Sequence, residues 1–408
     1  MPGQAGRALA ASLALAAATV CARPLAAMAE AAPAARPAGK PARPAGFDEV
    51  ARKAAEAREA GRFEEAIAHY RKAVLLDPTW VDGRFSLATL LYDSDRYEDA
   101  RDEFRRLAQA EPKSGLLRAL QGMCEFRLRN YERALKELQE GRSLGITSAE
   151  VYWAASYDAA TLLNRFEQYE AAFEILREFA RSQKDTVPVI EAFGLSVLRM
   201  PYLPSEAPAD RREMILMAGR AGYHQARGRT TTFGRQAFEE LVSRYPAAPN
   251  VHYAYGVHLV SDEPERALEA FRRELRSSPN HYHAMLQIAY ELIKQGRYEE
   301  ARPHAEKGTE LAPNLFAAHN ALGRILLETG EAERAIQVLE TAKRLAADSP
   351  EVRFSLARAY AKAGRDEDAA QERAAFLKLD KERRTARSGP QAVGGTQAQP
   401  QEEPPPQE

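Results

Sequence analysis

The chain is poor in nearly every feature that announces chemistry. Of 408 residues only Cys21 and Cys124 are cysteine, too few for a disulfide framework or a Cys-x-x-Cys motif. Two histidine pairs stand close, His252 with His258 and His281 with His283. Neither has the four-residue helical spacing that places two imidazoles on one zinc ion. The glycine-bracketed stretch GRTTTFG from Gly228 lacks a preceding strand and a lysine, so it is not a phosphate loop. Glu64-Glu65 and Glu299-Glu300 fall where helices are expected to begin, a place where carboxylates offset the helix dipole. Glu191, Glu206, Asp210 and His224 are too scattered to converge on a pocket. The expectation is therefore a protein with no catalytic, cofactor-binding or metal-binding residues. Charge of one sign is missing as well. With 57 basic and 58 acidic residues the formal net charge is -1. A nucleic-acid binder carries a basic excess, so nucleic acid is not an expected partner.

Long apolar runs are also absent, except for one short run near the start. Arg7 is followed by the run Ala8 to Val20 and then by Ala27, Met28 and Ala29. This is the layout of a secretory signal peptide with cleavage after Ala29, and the run is too short to span a bilayer. The expected location is periplasmic or secreted. Cys21 has Val20 before it, where a lipidated cysteine wants a small residue. Membrane attachment would come only through lipidation at that position. Residues 30–46, EAAPAARPAGKPARPAG, read as an extended tether. Residues 381–408, ending QEEPPPQE, read as a disordered Pro/Gln-rich tail.

What the chain does have is repetition. RFEEAIAHYRKAVLLDP from Arg62 is echoed by RYEDARDEFRRLAQAEP from Arg96, then by NYERALKELQEG from Asn130. The later echoes include EPERALEAFRRELRSSP, RYEEARPHAEKGTELAP and EAERAIQVLETAKRLA. The alanines Ala66, Ala100 and Ala134 stand 34 residues apart, as do Ala267, Ala301, Ala335 and Ala369. Small residues recur at Ala88, Gly122, Ala289, Gly323 and Ala357, turn glycines at Gly61, Gly296, Gly330 and Gly364, and prolines at Pro78, Pro112, Pro279 and Pro313. Apolar residues at helical spacing make each unit two amphipathic helices. A pair of helices about 21 Å long cannot bury its apolar faces alone, so the units must stack.

This period and these positions resemble the tetratricopeptide repeat, over roughly Phe47 to Asp380. The resemblance implies an all-α, right-handed superhelical solenoid of about nine helix pairs. An N-terminal array is expected over 47–182 and a C-terminal one over 233–380. Between them, 183–232 breaks the pattern as an irregular joint with a Pro-rich loop. There, two helix candidates sit where the alternation needs three. Either one helix is unpaired or a partner helix has become the loop.

The resemblance further implies a concave face lined by the first helix of each pair. It would bind a protein or peptide segment of unknown identity. Counting three before, one after and four after each small residue marks one stripe. The stripe names Phe85, Thr89 and Tyr92 in one array, and Tyr290, Asn320, Arg324, Phe354 and Arg358 in the other. Aromatic rings give rigid contact area and Arg can clamp a carboxylate. The same count reaches Leu286, Ile293 and Leu327, which suit a core, and Phe126, which suits either a core or the groove. Relatives that bind chaperone tails use two asparagines and several lysines. Asn320 has no second aligned asparagine, so that activity is not expected here. Two alternatives stay open for this chain: an adaptor module that presents substrates to a separate envelope enzyme, and a lipid-anchored assembly factor. Tyr152 and Trp153 are read as core at a helix joint.

Overall fold

A computed structural model describes residues 44–228 and 232–388. Among these residues there are nineteen α-helices and no strand. They form two compact units, one up to His258 and one from Leu259. The predicted leader, most of the tether and residues 389–408 lie outside the described residues.

The first unit opens with four helix pairs. These are α1 (Phe47–Glu59) with α2 (Phe63–Leu76), α3 (Val81–Asp93) with α4 (Tyr97–Ala110), α5 (Gly115–Arg127) with α6 (Tyr131–Leu144), and α7 (Ala149–Arg165) with α8 (Tyr169–Arg181). The second unit holds α13 (Pro264–Ser277), then α14 (Tyr282–Lys294) with α15 (Tyr298–Leu311), α16 (Phe316–Glu328) with α17 (Ala332–Leu345), and α18 (Pro350–Lys362) with α19 (Asp366–Ser388).

The second helix of each pair shows why the sequence folds this way. In α2 the buried residues are Ala66, Ile67, Tyr70, Ala73 and Val74, a single stripe at helical spacing. The repeat alanines Ala66, Ala100, Ala134, Ala267, Ala301 and Ala335 are all fully buried. Small residues of the first helix let the second helix of the pair come close. A Cβ on Gly122 would stand 2.9 Å from Leu138 Cγ, and one on Gly323 would stand 2.4 Å from Leu339 Cγ. Close helix approach therefore rests on the missing side chain.

The first helices α1, α3, α5, α7, α14, α16 and α18 stop in the same way. At Gly61 the backbone turns left-handed (φ 72°), and Arg62 N donates back to Ala57 O at 2.8 Å. This is the six-to-one bond of a Schellman stop. Asp95 (φ 58°) does the same without glycine, with Arg96 N donating to Leu91 O at 2.9 Å.

The centre obeys the same stop and then departs. Helix α9 (Val187–Val197) ends with Met200 N donating to Leu195 O at 2.9 Å. Where a second helix would start, the chain meets Pro201. It runs through two short 3-10 turns, Pro204–Glu206 and Ala209–Arg211, before α10 (Arg212–Arg227). The two helices are nevertheless a pair. A Cβ on Gly194 would lie 1.9 Å from Ile215 O, and one on Gly219 would lie 1.9 Å from Ile190 O. These reciprocal approaches run in opposite chain directions, so α9 and α10 are antiparallel and nearly backbone to backbone. The odd helix is α11 (Thr232–Arg244), packed on α10. Phe238 on α11 also stacks on His258 of α12 (Val251–Leu259) at 4.7 Å.

Two expected boundaries move. Position 183 is not a break, because Phe173 on α8 meets Phe193 on α9 at 5.4 Å, and Phe193 meets Tyr223 on α10 at 5.8 Å. The centre thus shares its apolar core with the N-terminal array. The predicted tail start at 381 is also too early, since α19 continues to Ser388. Residues 381–388, KERRTARS, are rich in good helix formers.

Candidate binding face

In the second unit the first helices α14, α16 and α18 bring part of the predicted stripe together. Tyr290 on α14 donates its hydroxyl to Ala317 O, on α16, at 2.7 Å. Burial pushes this phenol up, against a hydrogen bond from Asn320 and the charge of Arg324. Asn320 is 4% exposed, and its Oδ1 accepts from no donor among the described residues. A buried acceptor left in this state costs about 1–3 kcal/mol. Half-buried Arg324, one helical turn further on, has no carboxylate partner among the described residues. Tyr290, Asn320 and Arg324 thus form one cluster with an acceptor and a cation to spare.

On α18 the other two members are differently placed. Phe354 is 49% exposed, its ring 5.4 Å from that of Phe376. Arg358 is exposed and paired with Glu328 at 2.6 Å. Leu286, Ile293 and Leu327 are buried core.

The first unit treats its stripe residues otherwise. Phe85 packs edge-on against Phe104 at 6.0 Å. Thr89 is 1% exposed, and its hydroxyl donates to Ser86 O at 3.0 Å. Its place on a binding face is therefore corrected, since the position one after the small residue turns into the helix contact here. Tyr92 is half-buried, and its hydroxyl accepts from Arg127 Nε at 3.3 Å. Phe126 is part of the core wall, with the Arg127 guanidinium over its ring at 5.4 Å.

Beside Arg127 lies a residue that sequence reasoning passed over. Asp158 on α7 is 4% exposed, and its Oδ2 has no hydrogen-bond partner among the described residues. Burial pushes this carboxyl up to about 6, with Arg127 opposing the rise. In turn the Asp158 charge holds the Arg127 guanidinium above its ordinary value. The two charges do not touch, because Arg127 is hydrogen-bonded to Tyr92 instead. Tyr157 lies within electrostatic reach of both Asp158 and Glu191, and burial pushes its phenol up. Glu191 is raised by burial too, against Arg212, whose Nε lies 3.4 Å away. The signal for this row was present in the sequence as a single Asp inside the apolar stretch Ala154 to Leu163.

The remaining polar candidates are structural. His281 caps α14 by accepting from Ala284 N at 3.0 Å. Glu65 pairs with Arg62 at 2.6 Å, and Glu206 with Arg165 at 3.1 Å. Trp153 packs on Phe179 at 4.8 Å with Lys184 over its ring. Cys124 is buried, and burial raises its thiol far above the range where a thiolate would form. Among the described residues no group of three or more His, Cys, Asp or Glu is placed to hold a metal. No described helix is long and apolar enough to cross a membrane.

The chain was compared with known proteins. A sequence profile of the tetratricopeptide repeat matches residues 57–124, 292–353 and 326–375. A second tetratricopeptide-repeat profile matches 234–282 and 258–315, so the two together cover just over half of the chain. Anaphase-promoting complex subunit 3 of Schizosaccharomyces pombe (strain 972 / ATCC 24843) is 26% identical over 114 residues. That stretch is 27% of this chain and 17% of that one, so the match spans about a sixth of the relative's length. Among solved structures, MamA 41-end from Desulfovibrio magneticus RS-1 is 20% identical. It covers 42% of this chain and 96% of its own, with a TM-score of 0.39. Another MamA crystal structure is 15% identical, covering 44% and 98%, with a TM-score of 0.37. The repeat spacing, the buried alanines and the profile matches lead to one conclusion: this all-α chain belongs to the tetratricopeptide-repeat family, a scaffold for protein–protein interaction.

Proposed function

We propose that the chain is a non-catalytic scaffold of the cell envelope that holds an extended, carboxylate-bearing segment of a partner protein along the first helices of its second unit. The observation that carries this reading is the Tyr290–Asn320–Arg324 cluster. Asn320 is buried between the other two and hydrogen-bonds the Tyr290 hydroxyl, so it fixes the floor of the face. Among the described residues Arg324 is a guanidinium without an anion, and a carboxylate is the group it clamps with two hydrogen bonds. Phe354, half-exposed one repeat further on, adds apolar contact area. The envelope assignment rests on the leader-like first 29 residues.

The test is affinity capture from an envelope extract, with the chain from Glu30 as bait and an Arg324→Glu, Phe354→Ala bait beside it. Tyr290 is left intact because its hydroxyl ties α14 to α16. A protein held by the first bait and lost from the second, at equal helicity, supports the reading and identifies the partner. Equal capture by both refutes the proposed face. Mass measurement of the mature N-terminus checks the location, and a chain that keeps residues 1–29 would overturn export.

A further inference from the structure

The connector between α9 and α10 walls a pocket. A cavity of 370 Å³ opens between residues 198–202 after α9, the start of α10, and the loop joining α11 to α12. That volume lies in the range of small-ligand and peptide-anchor sites. Its walls include Met200, Pro201, Tyr202, Met214, Tyr245 and Pro249. The connector is held in place before anything binds. Met200 and Leu203 are buried. Glu206 accepts from Leu203 N at 3.1 Å, and Arg165 holds the same carboxylate at 3.1 Å. A preformed site loses little ordering entropy on binding.

Charge at the mouth is mixed. Arg199 and Arg211 line the pocket, with Asp210 as its only carboxylate. Arg199 is already engaged, paired with Glu170 and lying over the Tyr169 ring at 4.7 Å. Arg211 is exposed and has no anion among the described residues. Two tyrosines, two methionines and two prolines beside such an arginine suit one kind of occupant. Proline-rich strands dock on aromatic-lined grooves because they are already extended and have little freedom to lose.

We propose that this pocket receives an acidic, proline-rich peptide strand, its prolines against Tyr202 and Tyr245 and a flanking carboxylate on Arg211. The site shares no residue with the Tyr290–Asn320–Arg324 cluster and stands whether or not that cluster binds.

The chain itself carries one stretch of this chemistry, Glu402 to Pro406. The probe is therefore a fluorescein-labelled PQEEPPPQE peptide, followed by anisotropy at low salt. It is titrated into the full chain and into the full chain with Pro404, Pro405 and Pro406 changed to Ala, which removes an internal competitor. Saturable binding to at least one of these is expected. It should weaken about tenfold or more with Arg211→Glu and with Tyr245→Ala, a loss of about 1.4 kcal/mol each. It should weaken similarly when the peptide's prolines become alanine. Arg211 is exposed, so its variant keeps the fold, and equal helicity checks this for Tyr245→Ala. Three results overturn the proposal: no saturation on either chain, binding that survives both pocket substitutions, or equal binding of the proline-free peptide. Loss of binding in Arg324→Glu alone would also overturn it, by moving the peptide to the other unit.

Discussion

Replacing Asp158 by Asn should make the N-terminal unit more stable at neutral pH and flatten its response to acid. Asp158 is buried, with one carboxylate oxygen unbonded. Burial raises its carboxyl from 3.8 to about 6. In the folded chain it therefore holds a proton at pH 5 that the unfolded chain has released. Stability contributed by this group falls as pH rises from about 4 to about 6, and the full cost is present above that. Two pH units correspond to about 3 kcal/mol. Between pH 7.5 and pH 5 the linkage relation returns about 1.4 kcal/mol of it to the folded state. The Asn variant has no such proton to take up. It also leaves Arg127 without its anion, so its gain at pH 7.5 should be smaller than the full 3 kcal/mol. The informative quantity is the double difference, variant against parent at the two pH values, in which every other titrating group cancels. Urea unfolding followed by circular dichroism measures it, with midpoints as the readout because repeat arrays need not unfold in one step. If parent and variant shift equally between pH 5 and pH 7.5, Asp158 is ionised in both and the buried-carboxylate argument is wrong.

Two backbone predictions follow from the fold. Gly194→Ala places a Cβ 1.9 Å from Ile215 O, so α9 and α10 must separate. A loss of about 1–3 kcal/mol is expected from overpacking despite the better helix propensity of Ala, read as a lowered thermal midpoint. Arg129 sits left-handed at φ 61°, in the turn where other repeats place glycine. Arg129→Gly should gain up to about 1 kcal/mol by relieving that conformation, and a lowered urea midpoint would contradict it.

Much of the fold was legible because its signals are local. The alanines spaced by 34 are contact points, and each proved buried at the expected place. The centre was less legible because what pairs α9 with α10 is long-range. Gly194 and Gly219 look like any helical glycines until their opposite carbonyls are seen. The candidate face was readable only in part. A stripe count locates a direction on a helix, and Asn320 and Arg324 lie on it together. It cannot say how deep the neighbouring helix presses, which is why Thr89 is sealed while Phe354 stands half open. Asp158 was passed over for a related reason. An acidic residue in an apolar stretch reads as an exception, and only packing shows that its nearest cation is turned away toward Tyr92.

The left-handed stops at the ends of the first helices have a consequence for how far unfolding spreads. In the second unit they fall on Gly296, Gly330 and Gly364, but in the first unit several fall on Asp95, Arg129, Glu167 and Arg199. A non-glycine residue held in that region costs on the order of 1–3 kcal/mol, so four consecutive repeats there are individually weaker and lean harder on their neighbours. In a one-dimensional stack, weak units with strong interfaces unfold over longer stretches than strong units do. Trimming repeats from the N-terminal end should therefore melt a run of helices together, whereas trimming from the C-terminal end should remove them nearly one pair at a time.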